Sequence, residues 1–369
     1  MNKKNDLFLL TTLLTHDIGD QNIDFLNIVS IANRQYLTAA LFWSLYKHGF
    51  FSKSRDKELH AYLYEIFQIN AQRNRLIIEQ IKEIVSLLNH EGIEPLLLKG
   101  SAALVENDFE HIGIRFLSDI DLMVNKEDID RAYRLLQDAG YSEAKIANIR
   151  ATYHHMPPVQ KSDRPVIVEL HKRVSGGHSK IEYIPFNSET SMRCTHSDFS
   201  GAWVLKPTYR LYHAFLHTEI DDKNYMLRRL DLRHLHDFCV LANKYADKIE
   251  WDKLDALVRS RKLQKHFNAY LYQAKVFFSL DTPLTVETKE VKKHLEGVLK
   301  SFEMEGSVRG EFYPLMQKLQ VWYHPETLKD RYNYQSMWLY PYYLIIQIID
   351  QLTRYVFCKG CLKEIISKW

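Results

Sequence analysis

The chain has 369 residues, 46% of them hydrophobic and 26% charged, with a formal net charge of +3. This length predicts more than one average domain, and the composition is that of a protein with ordinary packed cores. The nearly balanced charge excludes a strong basic excess, so binding driven mainly by DNA phosphates is not indicated.

The first residues and the cysteines indicate a compartment. The start of the chain is basic, but its apolar stretch is short and no small-residue cleavage site follows, so we predict no signal peptide. Four cysteines are too few for a disulfide framework in a chain this long. Cys358 and Cys361 form a lone CxxC without a second pair for structural zinc, which favours reduced thiols. We expect a cytoplasmic protein.

Residues 7–90 show helical periodicity, with natural helix stops at Gly49 and Gly92. They carry no cluster of reactive side chains, so we predict an N-terminal helical domain over residues 1–92. The next region alternates between strand and helix patterns. We predict strands over 93–98, 119–124, 151–159 and 165–172, with helices over 101–107 and 126–139. These elements form a small domain with a mixed sheet, which we place at residues 93–206.

Two motifs in this region carry the chemistry. An apolar run ends in Lys99-Gly100-Ser101, and a second run carries Asp119 and Asp121. Residues i and i+2 of a strand share a face, so the two carboxylates project together while their apolar neighbours face the core. Magnesium takes such oxygen ligands and leaves positions open for phosphates, and the Gly-Ser turn offers N–H groups and a hydroxyl to a phosphate. Taken alone, the paired aspartates could also be solvated, and Gly100 could simply end a strand.

Glu169 adds a third carboxylate from the strand predicted at 165–172. Three carboxylates from neighbouring strands can hold two metal ions, one to activate an attacking hydroxyl and one to neutralise the triphosphate. In-line phosphoryl transfer needs mainly positioning and charge neutralisation, so this set of residues suffices in principle. His171 shares the face of Glu169, either as a neighbour of the metal site or as a structural histidine. The pair His154 and His155 lacks a third close ligand for zinc.

Several motifs together resemble one family. In order, GIEPLLLKGSAAL, IRFLSDIDLMV, AGY and VIVELH are similar to the LKG…R…DIDLLV…GY…ELH pattern of the bacterial "uncharacterised nucleotidyltransferase" family, within the DNA-polymerase-β-like nucleotidyltransferase superfamily. The resemblance extends through flanking helices to residues 25–275. It implies an α+β fold with a small mixed-sheet polymerase-β-like nucleotidyltransferase core between N-terminal and C-terminal helical domains.

The resemblance also implies roles for the motif residues. Gly100 and Ser101 would bind the triphosphate of an NTP. Asp119, Asp121 and Glu169 would be the catalytic residues and would bind Mg²⁺, with Mn²⁺ as an alternative.

Lys99, Arg115 and His171 are further candidates for nucleotide binding. Arg115 occupies the family's arginine position, in a gap of 17 residues that is longer than the superfamily's common spacing. Its guanidinium suits phosphate oxygens, with a surface salt bridge as the alternative. Lys99 would reach a phosphate or lie solvated at the strand end.

After residue 207 the pattern predicts four helices through residue 278, and we place a C-terminal helical domain at 207–369. Arg229, Arg233 and His236 fall at i, i+4 and i+7, which predicts a basic stripe on one helix. The resemblance implies that His217, Arg229 and Asp231 line the nucleotide cleft. A solvated or salt-bridged face is the alternative.

The last helix, predicted over 338–357, has an apolar side that includes Ile345 and Ile348 and a polar side that includes Gln347. The polar side argues against a transmembrane span. We expect core packing or a homodimer contact, with membrane-surface docking as a minor alternative.

The leading hypothesis is a magnesium-dependent nucleotidyltransferase that moves a nucleoside monophosphate from an NTP, ATP included, to an acceptor and releases pyrophosphate. The acceptor is a small molecule or a macromolecule, and the sequence does not identify it. Two alternatives stay open: toxin-like nucleotidylation of a protein or tRNA, and a catalytically silent nucleotide-binding regulatory module.

Overall fold

The structure is a computed structural model that describes residues 3–16, 23–53, 56–144, 155–174, 183–304, 323, 328 and 336–357. The chain divides into two compact units, residues 1–303 and 304–369. The first unit contains the sheet and the candidate site. The division predicted at residues 92 and 206 remains a prediction.

Helices dominate the start of the chain, as the periodicity predicts. The longest, α5, runs over 34 residues; the Asp56 side chain accepts the Leu59 N–H at its start, and Gly92 follows its end with a φ of +73°. The bounds are α1 Lys3–Thr15, α2 Phe25–Arg34, α3 Thr38–Lys47, α4 Phe50–Lys53 and α5 Lys57–His90.

A seven-stranded mixed sheet forms the centre of the first unit. Its strands are β1 Leu96–Leu97, β2 Asp119–Met123, β3 Ser142–Glu143, β4 Val159–Gln160, β5 Ile167–His171, β6 Ser191–Arg193 and β7 Trp203–Leu205. The spatial order is β3-β4-β5-β2-β1-β7-β6, with β2–β5 and β1–β7 parallel and the remaining pairs antiparallel. The sequence pattern missed β3, β6 and β7. Of the strand predicted at 151–159, residues 151–154 lie outside the described residues.

Two hydrophobic clusters lie on the two faces of the sheet. Leu96 and Leu98 belong to one cluster, with the N-terminal helices and the helices after residue 207, whereas Leu97 belongs to the other, with α5 and the helix Ile129–Asp138. Ile120 and Leu122 are fully buried in the second cluster, which confirms that the residues beside the two aspartates face the core. The molecule is thus a mixed α/β structure consistent with the α+β class; a polymerase-β-like core remains a prediction.

The helices after the sheet differ from the prediction at one place. Their bounds are α6 Lys99–Val105 and α7 Ile129–Asp138 within the core, then α8 Pro207–Phe215, α9 Asn224–Leu227, α10 Leu232–Lys244, α11 Trp251–Ser260, α12 Gln264–Phe278 and α13 Lys289–Met304, with a π-helix at Leu216–Asp221. The helix predicted across Arg229 is interrupted, because Arg228 adopts a φ of +48° and Asp231 caps the start of α10. Arg229 therefore precedes the helix, and the predicted stripe of Arg229, Arg233 and His236 is wrong.

The second unit contains α14, Tyr340–Phe357. Its described side chains reverse the expected packing: Ile345 and Ile348 are exposed, whereas Gln347 is fully buried. The exposed isoleucines leave the homodimer contact as a prediction. Among the described residues, no helix combines the length and apolarity needed to cross a membrane.

Candidate active site

The predicted carboxylates meet where β2 and β5 run side by side. The two strands are parallel, and Asp121 is the direct neighbour of Glu169. Asp119 lies two residues earlier on β2, on the same face as Asp121. Asp121 is almost completely buried, whereas Asp119 and Glu169 are half-buried. The sheet register therefore brings together the three carboxylates that the sequence singled out.

Two cationic or polar side chains contact Asp121. Lys99 Nζ lies 2.9 Å and His171 Nε2 lies 2.7 Å from the same oxygen, Asp121 Oδ1. Burial alone would raise the pKa of Asp121, but the charge of Lys99 and the hydrogen bond with His171 hold this pKa well below its usual range. Burial alone would lower the pKa of Lys99, but the negative charges of the neighbouring carboxylates raise it above its usual range. Asp121 is therefore ionised and paired.

The other two carboxylates behave differently. Burial, together with the negative charge of Asp121, raises the pKa of Asp119, and the same two causes raise the pKa of Glu169 to about 7. Ser118 Oγ donates a hydrogen bond to Asp119 Oδ1 at 3.1 Å. The site thus concentrates more negative charge than Lys99 balances.

The group of metal-ligating atoms that the structure brings together around Asp121 differs from the predicted set. One ligand atom each from Asp121, Glu169 and His171 lie within 4.8 Å of one another, and Asp119 is not part of this group. His171 Nε2 is 3.7 Å from Glu169 Oε2. The structure thus adds His171 to the atoms that could hold a cation.

The Gly-Ser turn lies at the start of α6, directly beside β2. Ser101 is fully buried, and its hydroxyl oxygen accepts the backbone N–H of Asp121 at 3.0 Å. Gly100 lies against Arg115, so that a Cβ atom at Gly100 would come within 2.1 Å of Arg115 Nη1. The guanidinium of Arg115 can therefore lie this close only because residue 100 has no side chain.

Arg115 is held from two directions. The buried amides of Asn70 and Asn74 on α5 both donate to the Arg115 carbonyl oxygen, at 3.1 and 2.8 Å. The Arg115 side chain is nearly buried, and its Nε donates to Asp237 Oδ2 on α10 at 2.8 Å. Arg115 is thus a buried, oriented cation beside Gly100 and not a member of a surface salt bridge.

A cavity of about 60 Å³ lies beside Lys99. Arg115 lines it from the loop before β2, and three histidines line it from the later helices. Those histidines are His213, His217 and His234. Burial, then the charge of Lys99, lowers the pKa of His213 to about 3 and holds the pKa of His217 well below its usual range.

The remaining predicted residues lie elsewhere or serve other contacts. Arg229 Nε donates to Asn224 Oδ1 at 2.7 Å, in the turn before α10. Asp231 caps α10 and contacts His234 Nδ1 at 2.8 Å. The His155 ring lies 5.8 Å from the His171 ring, and His154 is outside the described residues.

Sequence reasoning missed three residues of this region. Asp237 is 122 positions from Arg115, so no local pattern pairs them. Asp222 and His234 approach His217 only through the interrupted helices after α8. The one local signal is Asp231, an N-cap residue type three positions before His234.

A comparison with protein-family models found one match over most of the chain. The family described as "Uncharacterised nucleotidyltransferase" matches residues 21–279, which include every candidate residue above. A search of curated proteins and a search of solved structures found no match.

Proposed function

The chain belongs to the uncharacterised nucleotidyltransferase family, and we propose that it transfers a nucleoside monophosphate from an NTP to an acceptor, with Asp119, Asp121 and Glu169 as ligands of Mg²⁺. The observation that carries this proposal is the direct pairing of Asp121 with Glu169 on parallel strands, next to Lys99. A family match alone names a reaction class, whereas this pairing supplies the charge that the reaction needs.

The electrostatics support a divalent cation at this position. Burial and, after it, the negative charge of Asp121 raise the pKa values of Asp119 and Glu169. A cation bound to these carboxylates would lower both pKa values, and carboxylate oxygens are ligands that Mg²⁺ prefers. When bound, Mg²⁺ supplies charge neutralisation for the triphosphate and lowers the pKa of the attacking hydroxyl. Mn²⁺ tolerates the imidazole of His171 better than Mg²⁺ does, which makes it the alternative ion.

The chain's own residues then orient the donor. Lys99 and Arg115 line the same cavity, and we assign their two cationic groups to the phosphate oxygens of the donor. His171 holds the Asp121 carboxylate through Nε2. The hydrogen bond between Ser101 Oγ and the Asp121 N–H connects α6 to β2. We assign Gly100 and Ser101 to the phosphate-binding turn.

In the proposed reaction, the acceptor hydroxyl oxygen attacks the α-phosphorus of the NTP. The bond from that phosphorus to the pyrophosphate oxygen breaks, the pyrophosphate leaves with the electron pair, and the hydroxyl proton passes to solvent. The acceptor is not identified by these residues, because fold and family do not specify it.

The test is NTP binding and pyrophosphate release with each of the four NTPs, in Mg²⁺ and in Mn²⁺, with cell extract as the source of acceptor. We expect metal-dependent binding and transfer of label from the α-phosphate. Asp121→Asn should lower the rate by about a thousand-fold, because several kcal/mol of transition-state charge stabilisation are lost.

The matched control is Asp130→Asn, which removes an exposed carboxylate on α7. It should leave the rate unchanged. The proposal is wrong if the folded wild-type chain binds no NTP in either Mg²⁺ or Mn²⁺. Tight NTP binding with equal, negligible turnover in wild type and Asp121→Asn would favour the regulatory module. Label transferred to a protein or to tRNA would favour the macromolecular acceptor.

A further inference from the structure

A second group of ligand atoms includes two residues, His217 and His234, that line the same cavity as Lys99. One ring nitrogen each from His217 and His234 and one carboxylate oxygen from Asp222 lie within 4.8 Å of one another. His217 Nε2 is 3.8 Å from Asp222 Oδ2, and the two imidazole rings meet edge to face at 5.1 Å. All three side chains are partly accessible, so an ion could enter from solution.

The backbone brings two of these residues together in an unusual way. Residues 216–221 form a π-helix, and the Asp222 N–H donates to the His217 carbonyl oxygen at 3.0 Å. In an α-helix, positions i and i+5 point about 140° apart, whereas the wider π turn brings them onto nearly the same side. The inserted residue therefore aligns His217 with Asp222, which an ordinary helix would separate.

The third residue is oriented by a carboxylate of its own. His234 Nδ1 donates to Asp231 Oδ2 at 2.8 Å, an arrangement that fixes the ring and leaves Nε2 as the acceptor nitrogen. Arg233 Nη2 lies 3.1 Å from Nε2 and donates to it. Nε2 thus already faces a cationic group, and a metal ion would take the place of the guanidinium.

From this geometry we propose that His217, Asp222 and His234 form a second metal site, selective for a transition-metal dication such as Zn²⁺. Two imidazoles and one carboxylate are the donor set of catalytic zinc sites, which keep positions open for water or substrate oxygen. Mg²⁺ prefers oxygen ligands and is disfavoured here. The cavity beside His217 and His234 has room for one or two such oxygen ligands. This second site is inferred from its own donor atoms and does not rest on the proposed nucleotidyl transfer.

The experiment titrates the full chain with Co²⁺, a spectroscopic substitute for Zn²⁺, in excess Mg²⁺. The background variant Asp121→Asn removes binding at the first site, and Ser substitutions of Cys358 and Cys361 remove thiolate ligands. We expect one Co²⁺ per chain, with visible absorption typical of nitrogen and oxygen ligands. In that background, His217→Ala and Asp222→Asn should each weaken Co²⁺ binding by about a hundred-fold, and competing Zn²⁺ should remove the absorption.

His90→Ala is the matched control, because the His90 side chain is almost fully exposed; it should bind Co²⁺ unchanged. Asp222→Asn keeps the shape of the side chain, so lost binding with an unchanged melting temperature separates lost ligation from lost folding. The proposal is overturned if the background variant binds no Co²⁺, or if binding persists unaltered in both His217→Ala and Asp222→Asn.

Discussion

Lys99 and a metal ion would compete for one oxygen. Lys99 Nζ lies 2.9 Å from Asp121 Oδ1, in a pair that is largely buried on both sides. Removing one partner of such a pair leaves an uncompensated buried charge. The lysine therefore stabilises the carboxylates, and it also occupies a position that an incoming cation needs.

This competition predicts the behaviour of Lys99→Met. The variant should lose about 3 kcal/mol of unfolding free energy without added metal, because Asp121 then lacks its cation. Added Mg²⁺ should restore part of that loss, so that the metal raises the melting temperature more in the variant than in wild type. Lys126→Met, at an exposed position, is the control for thermal shift with and without Mg²⁺. An equal Mg²⁺ effect in all three proteins would contradict the competition.

At the scale of elements, α6 can approach the loop before β2 only because residue 100 is glycine. A Cβ there would come within 2.1 Å of Arg115 Nη1 and 2.9 Å of Leu117 Cγ. Gly100→Ala should therefore displace the guanidinium from Asp237 and cost about 1–3 kcal/mol of unfolding free energy by overpacking.

A double-mutant cycle in denaturant measures this contact. In an Arg115→Ala background, Gly100→Ala should cost clearly less, because the displaced group is gone and only the contact with Leu117 remains. Equal costs in both backgrounds would show that Arg115 does not depend on the missing side chain.

The two strands that carry the carboxylates could be predicted from the sequence. The short strand β7, the start of α10 and the contact between Arg115 and Asp237 could not. The alternation around Asp119, Asp121 and Glu169 is local, so it specifies both strand and face. β7 has three residues and is recognised only through its parallel pairing with β1. The helix predicted across Arg229 is interrupted before α10 because the backbone of Arg228 is left-handed. The helical periodicity of the sequence continues through this position, so it does not reveal the break. The pair of Arg115 with Asp237 is long-range, and a single sequence contains no signal for it.

On the scale of the whole molecule, buried histidines couple folding to pH. His213 is almost completely buried, and its pKa falls to about 3 because burial disfavours the imidazolium. An unfolded histidine titrates near 6.5, so between these values the unfolded chain binds more protons. Stability therefore falls as the pH drops below about 6.5. Glu169, whose pKa is raised to about 7, instead makes the folded state more stable as the pH drops. The contribution of His213 is therefore measured by comparing wild type with a variant at this position.

His213→Asn should remove this dependence. Between pH 7 and pH 5, wild type should lose about 2 kcal/mol more unfolding free energy than the variant. Urea unfolding at half-unit pH steps measures the difference in slopes, which is insensitive to a constant packing loss. Parallel curves for the two proteins would contradict a neutral buried His213.

The triple attachment of Arg115 has a kinetic consequence. Its carbonyl oxygen is held from α5, its Cζ and Nη1 lie against Gly100, and its Nε is held from α10, so contacts 41 and 122 positions apart meet at one residue. The contact with Asp237 spans 122 positions, whereas Asp121 and Glu169 are 48 positions apart, and contacts of greater sequence separation cost more loop-closure entropy. During refolding, the carboxylate cluster on β2 and β5 should form before this arginine is seated, and nucleotide binding should be among the last properties to return.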